Sequence, residues 1–217
     1  MSFYPIKMPT ILRKIFSKYC WHFIVDKKEI YLTFDDGPIP EVTEFVLDEL
    51  KKYNAKATFF CIGDNIKKNP DIFCRIIKEG HSIGNHTNNH LNGWKTDTKS
   101  YVDNVLVCEN IISEISEKTD VIKNSKLFRP PYGKIKASQG KQLLKRGYKI
   151  IMWSVLSGDF DKSITKEKCL SNVVKNTKRG DIIVFHDSIK ARHNLQYALP
   201  KFLEIFTKKG YQFKPIN

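Results

Sequence analysis

Six or seven times in 217 residues, a short run of apolar and β-branched side chains gives way to a stretch with helical apolar spacing. That alternation restricts the fold more than any other feature of the chain. Consecutive strand–helix units pack as a parallel sheet or barrel with the helices outside it. Strands are expected at 29–34, 56–62, 81–85, 126–128, 148–155, 181–185 and 210–213. Helices are expected at 42–53, 70–80, 101–115, 138–146, 165–178 and 195–209, the last kinked or delayed by Pro200. Asn69-Pro70-Asp71 reads as a helix start, with a capping residue, a proline at the first helical position and an acid in the first turn. The predicted class is α/β, a single domain over residues 29–217 after a lead-in over residues 1–28.

The lead-in sets Ile11, Leu12, Ile15, Phe16, Tyr19 and Phe23 against Arg13, Lys14 and Lys18. This pattern predicts a helix over 11–24 that packs across the end of the domain, or that lies weakly on an anionic membrane surface. Residues 1–28 hold no apolar run long enough for a signal peptide or a membrane span, so a cytoplasmic or membrane-associated location is expected. The five cysteines are odd in number, widely spaced and without a Cys-x-x-Cys pair, which argues against disulfides and a thiolate zinc site. Lys and Arg outnumber Asp and Glu by 37 to 23, but the lysines are spread along the chain. Such a surface is solvated rather than patched, and no nucleic-acid partner is expected. A monomer is expected.

The chemistry gathers at strand exits. Asp35-Asp36-Gly37-Pro38, His86 and His90, Arg129, Asp159 and His186 all fall just past predicted strand ends, on the rim where α/β folds place reactive groups. Adjacent carboxylates at a strand end point in different directions, so one can hold a cation while the other acts as a base. His86 and His90 are four apart, a spacing that brings two imidazoles to one face of a helical turn. With one carboxylate they make a three-ligand site that keeps a position open for water and substrate, as catalytic zinc sites do. Bound water there has its pKa lowered towards roughly 7. Arg129 can pair with the base, and His186 suits a general acid oriented by Asp159 or Asp187. The set describes metal-assisted hydrolysis of an amide or ester. An iron(II) facial triad uses the same donors, but it has no use for a free carboxylate or the Arg-Pro-Pro-Tyr loop. Trp94, in a polar loop, and Trp153, in an apolar strand, are candidates to stack on a sugar ring, with Trp153 read first as core or pocket wall; His22, His81 and His193 read as structural or surface residues.

From about residue 29 to 213 the motifs resemble those of the polysaccharide deacetylases, carbohydrate esterase family 4, also called the NodB homology domain. Thr33-Phe34-Asp35-Asp36-Gly37-Pro38 is similar to the family's first motif, which implies Asp35 as base and Asp36 as metal ligand. His86-Thr87-Asn88-Asn89-His90 matches His-[Ser/Thr]-x-x-His, implying His86 and His90 as the other ligands. Arg129-Pro130-Pro131-Tyr132-Gly133 resembles the groove motif, in which the arginine tethers the base and the Tyr132 backbone N–H helps hold the oxyanion; Pro131 lies in the same groove wall. Val184-Phe185-His186 stands for Leu-x-His, implying His186 as the acid and Val184 as a wall of the acetyl pocket. The fourth motif, Asp-x-x-Asp-Trp, is half kept: Leu156 replaces the first Asp and Phe160 the Trp, while Asp159 matches the tether of the catalytic His.

The resemblance implies a distorted (β/α) barrel of seven or eight mostly parallel strands. It implies a divalent metal, zinc first with cobalt or nickel as substitutes, and removal of N-acetyl groups from an N-acetylhexosamine glycan such as an N-acetylglucosamine polymer or peptidoglycan. The competing expectations are an O-acetyl esterase, or a non-catalytic glycan- or nucleic-acid-binding protein that keeps the fold.

Overall fold

The structure is a computed structural model and describes residues 4–119 and 126–217. Its strands are β1 (Glu29–Asp35), β2 (Ala57–Cys61), β3 (Ser82–Asn85), β4 (Leu127–Phe128), β5 (Lys149–Ile150), β6 (Val155–Leu156), β7 (Ile182–His186) and β8 (Gln212–Phe213). They form one sheet in the order β5-β4-β3-β2-β1-β7-β6, with β8 on β1, and every pairing is parallel. The helices are α1 (Thr10–Ile15), α2 (Val42–Lys52), α3 (Gly63–Lys68), α4 (Pro70–Lys78), α5 (Thr98–Ser116), α6 (Ala137–Lys145), α7 (Lys166–Asn176) and α8 (Arg192–Lys208). The α/β class and the parallel strand set agree with expectation.

The single strand expected over 148–155 is instead β5 and β6, which lie at opposite edges of the sheet. A flat sheet of seven strands would be about 29 Å wide at about 4.8 Å per strand. The chain from Ile150 to Val155 reaches at most about 17 Å. The sheet must therefore curl until its edges face each other, and the largely apolar run from Tyr148 to Val155, broken only by Lys149 and Ser154, hides the break. The seam is dressed by the lead-in. Ile6 accepts from Leu156 N (2.8 Å) and Met8 N donates to Ser154 O (2.9 Å), antiparallel to β6. Cys20 N donates to Ile150 O (2.8 Å), and Met152 N to Cys20 O (2.7 Å), beside β5. Exposed edge groups are thereby paired.

This pairing also corrects the helix expected over 11–24, which forms only over Thr10–Ile15 and buries none of its residues. Met8 and Trp21 are drawn into a cluster with Tyr101, Phe128 and Ile150, and Cys20 is spent on the seam, so the chain turns at 16–18 and then makes single bridges at Cys20 and His22. The helix α3, which the sequence pattern does not announce, opens at Gly63 directly after β2. Asn69 makes no side-chain cap; its amide ties the start of α4 to Pro38 O (3.0 Å). Pro200 does not delay α8, which begins at Arg192. Burial of Leu195, Leu199, Phe202 and Phe206, about 1.5–3 kcal/mol each, outweighs the one backbone bond proline forfeits. Among the described residues no helix is long and apolar enough to cross a membrane.

Alternation along the strands makes two interiors. Ile30, Leu32, Phe34, Phe59, Ile183 and Phe185 face the helices in the main core. Tyr31, Phe60, Leu127, Ile151 and Ile182 fill the inside of the curl, closed below by Ile216. Thr33 and Asp35 alternate with the outward set on β1, so they point into the same space as Tyr31.

Candidate active site

The strand ends deliver the candidates to one mouth. Asp35 is the last residue of β1, His186 the last of β7, and His86 and Arg129 directly follow β3 and β4. Register places Asp35 opposite His186.

Arg129 is the largest fully buried side chain. Its Nη1 donates to Asp35 Oδ1 and Thr33 Oγ1, both at 2.7 Å. Nε and Nη2 donate to Ile151 O (3.1 Å) and Met152 O (2.9 Å), the carbonyls of the break between β5 and β6. The guanidinium lies 4.1 Å from the centroid of Phe60 and 5.9 Å from that of Trp153. Burial lowers its pKa and Asp35 opposes that, and a guanidinium so supplied with acceptors stays charged. Trp153, a candidate for sugar stacking, thus packs on Arg129 and against the Gly133 turn.

His86 and His90 converge, but not on a helical turn. Residues 86–90 are irregular, with Thr87 at φ 66° and His90 at φ 61°; the neighbouring ligand candidate Asp36 has φ 88°. Positive φ in a non-glycine residue costs roughly 1–3 kcal/mol and persists where surroundings over-determine it. Here Thr87 N donates to Asn85 Oδ1 (2.9 Å), Thr87 Oγ1 accepts from Leu91 N (3.1 Å), and Asn65 Nδ2 donates to Asp36 O (2.7 Å). The helical reading fails because Asn85 and Thr87 turn the chain through side-chain bonds that outcompete a helix.

Asp36 Oδ1 lies 3.3 Å from His90 Nε2 and 3.8 Å from His86 Nε2. His86 Nδ1 faces the Arg129 carbonyl at 2.8 Å, which puts its proton there and leaves Nε2 as a lone pair. Burial pushes His86 down to about 3, with His90 adding to the effect, and burial also lowers His90. Asp36 Oδ1 is buried with no hydrogen-bond partner. One ligand atom from each of the three residues lies within 4.8 Å of the others. Acceptors aimed at one point, one of them an orphaned carboxylate oxygen, fit a divalent cation and suit little else.

On the other side of Asp35, His186 Nδ1 is 2.8 Å from Asp159 Oδ1, and its backbone N donates to Asp159 Oδ2 (2.7 Å). Burial disfavours the imidazolium and is the largest single influence. The charge and hydrogen bond of Asp159, with Asp36 and Asp35 beyond, outweigh it and push His186 up to about 9. Of the two carboxylates considered as its orienter, the structure uses Asp159. Asp187 instead accepts from Gly37 N (3.0 Å) and Thr43 Oγ1 (2.6 Å), pinning the turn after Asp36. A Cβ at Gly37 would overlap that carboxylate, so the turn admits only glycine.

Tyr132, at φ 60° in the turn Pro131–Gly133, is more than half exposed, and its hydroxyl meets His90 Nδ1 at 3.1 Å. Pro131 beside it is buried. Phe160 sets its ring edge-on to His186 at 5.0 Å, and Val184 is buried two residues before His186 on the same face of β7. Trp94 is exposed; its partners are Ile135 O (3.3 Å) and Lys134 (5.3 Å), at the loop after Tyr132. Of the structural residues, His81 accepts from Ala57 N (3.2 Å) inside the core. Sequence reasoning did not find Thr33, Asn65 or the Tyr132 hydroxyl as supports. Their partners are 29 to 96 positions away, and only the curl of the sheet brings them together.

A family model described as polysaccharide deacetylase matches residues 24–151. A peptidoglycan-N-acetylglucosamine deacetylase of Bacillus cereus is 36% identical over 198 residues, covering 91% of this chain and 90% of that protein. The peptidoglycan-N-acetylmuramic acid deacetylase PdaC of Bacillus subtilis is 31% identical over 192 residues, 88% of this chain and 38% of that protein. The crystal structure of the Bc1960 peptidoglycan N-acetylglucosamine deacetylase superposes with a TM-score of 0.86 at 33% identity, covering 96% of this chain and 95% of that one.

Proposed function

The chain belongs to the polysaccharide deacetylase family, and on that premise we propose that it hydrolyses the N-acetyl group of N-acetylglucosamine residues in peptidoglycan. The observation that carries this reading is the pairing, in one mouth, of an orphaned Asp36–His86–His90 acceptor set with an arginine-bound Asp35 and a protonated His186. Relatives named for peptidoglycan at near full coverage support the polymer.

Asp36 Oδ1 and the Nε2 atoms of His86 and His90 would hold the cation, for which zinc fits two imidazoles and a carboxylate. When bound, it supplies Lewis acidity to the acetamide carbonyl and to the attacking water. Asp35 spends Oδ1 on Arg129 and uses Oδ2 to take the proton from that water. The Tyr132 backbone N–H, presented by its left-handed turn, donates to the developing oxyanion. His186 gives its Nε2 proton to the departing amine while Asp159 holds Nδ1. Val184 and Phe160 wall the acetyl methyl group. Pro131 and Trp94 line the sugar groove.

The test is acetate release from purified peptidoglycan and from N-acetylglucosamine oligomers, before and after chelation and zinc replacement. Asp35→Asn should lose at least about 10³-fold in kcat while binding zinc in the wild-type amount. Turnover by chelated enzyme, or full activity in Asp35→Asn, would overturn the reading.

A further inference from the structure

The loop that carries Asp159 runs from Ser157 to Asp161 and is clamped from three sides. From α7, Asn172 Nδ2 donates to Ser157 O (2.9 Å). From α8, Asn194 Nδ2 donates to Asp159 O (3.1 Å). The third clamp is the lead-in, which reaches the loop just before it runs antiparallel to β6. Tyr4 OH donates to Asp161 Oδ2 at 2.8 Å, and its ring tilts onto Phe160 with centroids 5.2 Å apart.

Both contacts point inward to the acid. Phe160 stands between Tyr4 and His186, with its edge on the imidazole. Asp161 is the far end of the turn that Asp159 occupies: Asp161 N donates to Gly158 O (2.9 Å), and Asp161 Oδ1 accepts from Ser163 N (2.9 Å) and Oγ (2.7 Å). Gly158 sits at φ 78°, and a Cβ there would come within 3.0 Å of Tyr4 OH, so the phenol closes directly over the turn. The Lys190 ammonium lies 5.6 Å from the centroid of the Phe160 ring. The asparagines fix the loop's backbone; Tyr4 fixes the two side chains that follow Asp159, Phe160 and Asp161. A ring packed on Phe160 keeps the imidazole edge dry, and a bond to Asp161 keeps the turn from opening away from His186.

We propose that Tyr4 is a positioning residue for the general acid, holding the 157–161 loop so that Asp159 and Phe160 stay seated on His186. The proposal rests on the reading of His186 as the acid, and it makes the lead-in a working part of the site rather than a cover for the seam.

The experiment compares Tyr4→Phe and Tyr4→Ala with wild type in acetate release across pH, together with an NMR titration of the His186 imidazole. Tyr4→Ala should lower kcat roughly tenfold with KM little changed, and should move the alkaline limb and the His186 titration down by about one pH unit. Tyr4→Phe keeps the ring and loses only the hydroxyl, so it should recover most of that loss, to within about threefold of wild type. A folded Tyr4→Ala with wild-type kcat and an unmoved His186 titration overturns the proposal. Should Tyr4→Ala fail to fold, Tyr4→Leu, which keeps bulk but loses both ring and hydroxyl, decides: wild-type kcat together with an unmoved titration overturns the proposal. The NMR arm needs no turnover. Wild type silent on every acetylated glycan would count against the proposed function, while the titration would still decide the role of Tyr4.

Discussion

His86 and His186 stand at strand ends of one curled sheet, and their surroundings drive them in opposite directions. His86 has a carbonyl on Nδ1, a second imidazole as neighbour and almost no solvent, and it is held neutral down to about pH 3. His186 is less deeply buried, its side chain 16% exposed against 3% for His86, and it has a carboxylate on Nδ1 and stays protonated up to about pH 9. Burial acts against the charged form in both. What separates the two imidazoles, one proposed as a metal ligand and the other as the general acid, is the identity of one partner, a backbone carbonyl or an aspartate. The two sites also differ in how they are held. The metal side relies on irregular backbone at positive φ, and the acid side on regular strand with hydrogen bonds to both ends of Asp159.

The contrast breaks most sharply in paired alanine variants. His86→Ala should lose the metal, read by elemental analysis, and with it about 10³-fold or more in turnover. His186→Ala should keep a full metal complement and lose about 10²–10³-fold in kcat. Equal metal loss in both would erase the distinction. Next in size, Asp159→Asn removes the charge that raises His186, so the alkaline limb of kcat/KM should fall from about 9 towards the ordinary 6.5. Because the folded pKa is raised, the pair stabilises the fold in full below pH 6.5, and that contribution fades as pH rises through about 9. Chemical denaturation at pH 6 and pH 10 should show a smaller pH difference in the variant. The smallest effect is expected of Tyr132→Phe, which deprives His90 Nδ1 of its partner and should weaken zinc affinity about tenfold, read by competition with a chelator.

Much of this was legible in the sequence because it is local. β1 alternates outward Ile30, Leu32 and Phe34 with inward residues and ends in Asp35, so both the strand and its reactive terminus show in seven letters. Thr165 accepts from Lys168 N (3.2 Å) and caps α7 where the pattern places it. The failures are tertiary. Tyr148 to Val155 is apolar apart from Lys149 and Ser154 because one half lines one edge of the sheet and the other half lines the opposite edge, and composition does not register the crossing between them. The spacing of His86 and His90 brought the right pair together for the wrong reason, since a loop bent by Asn85 and Thr87 does the work assigned to a helix. Asp187 sits next to His186 in the chain but faces the other way, because successive side chains at a strand end alternate. Tyr4 carries no local signal; its partner is 157 positions away.

Arg129 occupies the space that branched hydrocarbon fills in most small barrels. A redesign aimed only at a tighter filling there would meet a cation whose hydrogen bonds are already divided between a break in the sheet and Asp35, the carboxylate proposed as the base. Thermal resistance and reactivity in this enzyme thus share one side chain, and a substitution at 129 cannot be screened for either property alone.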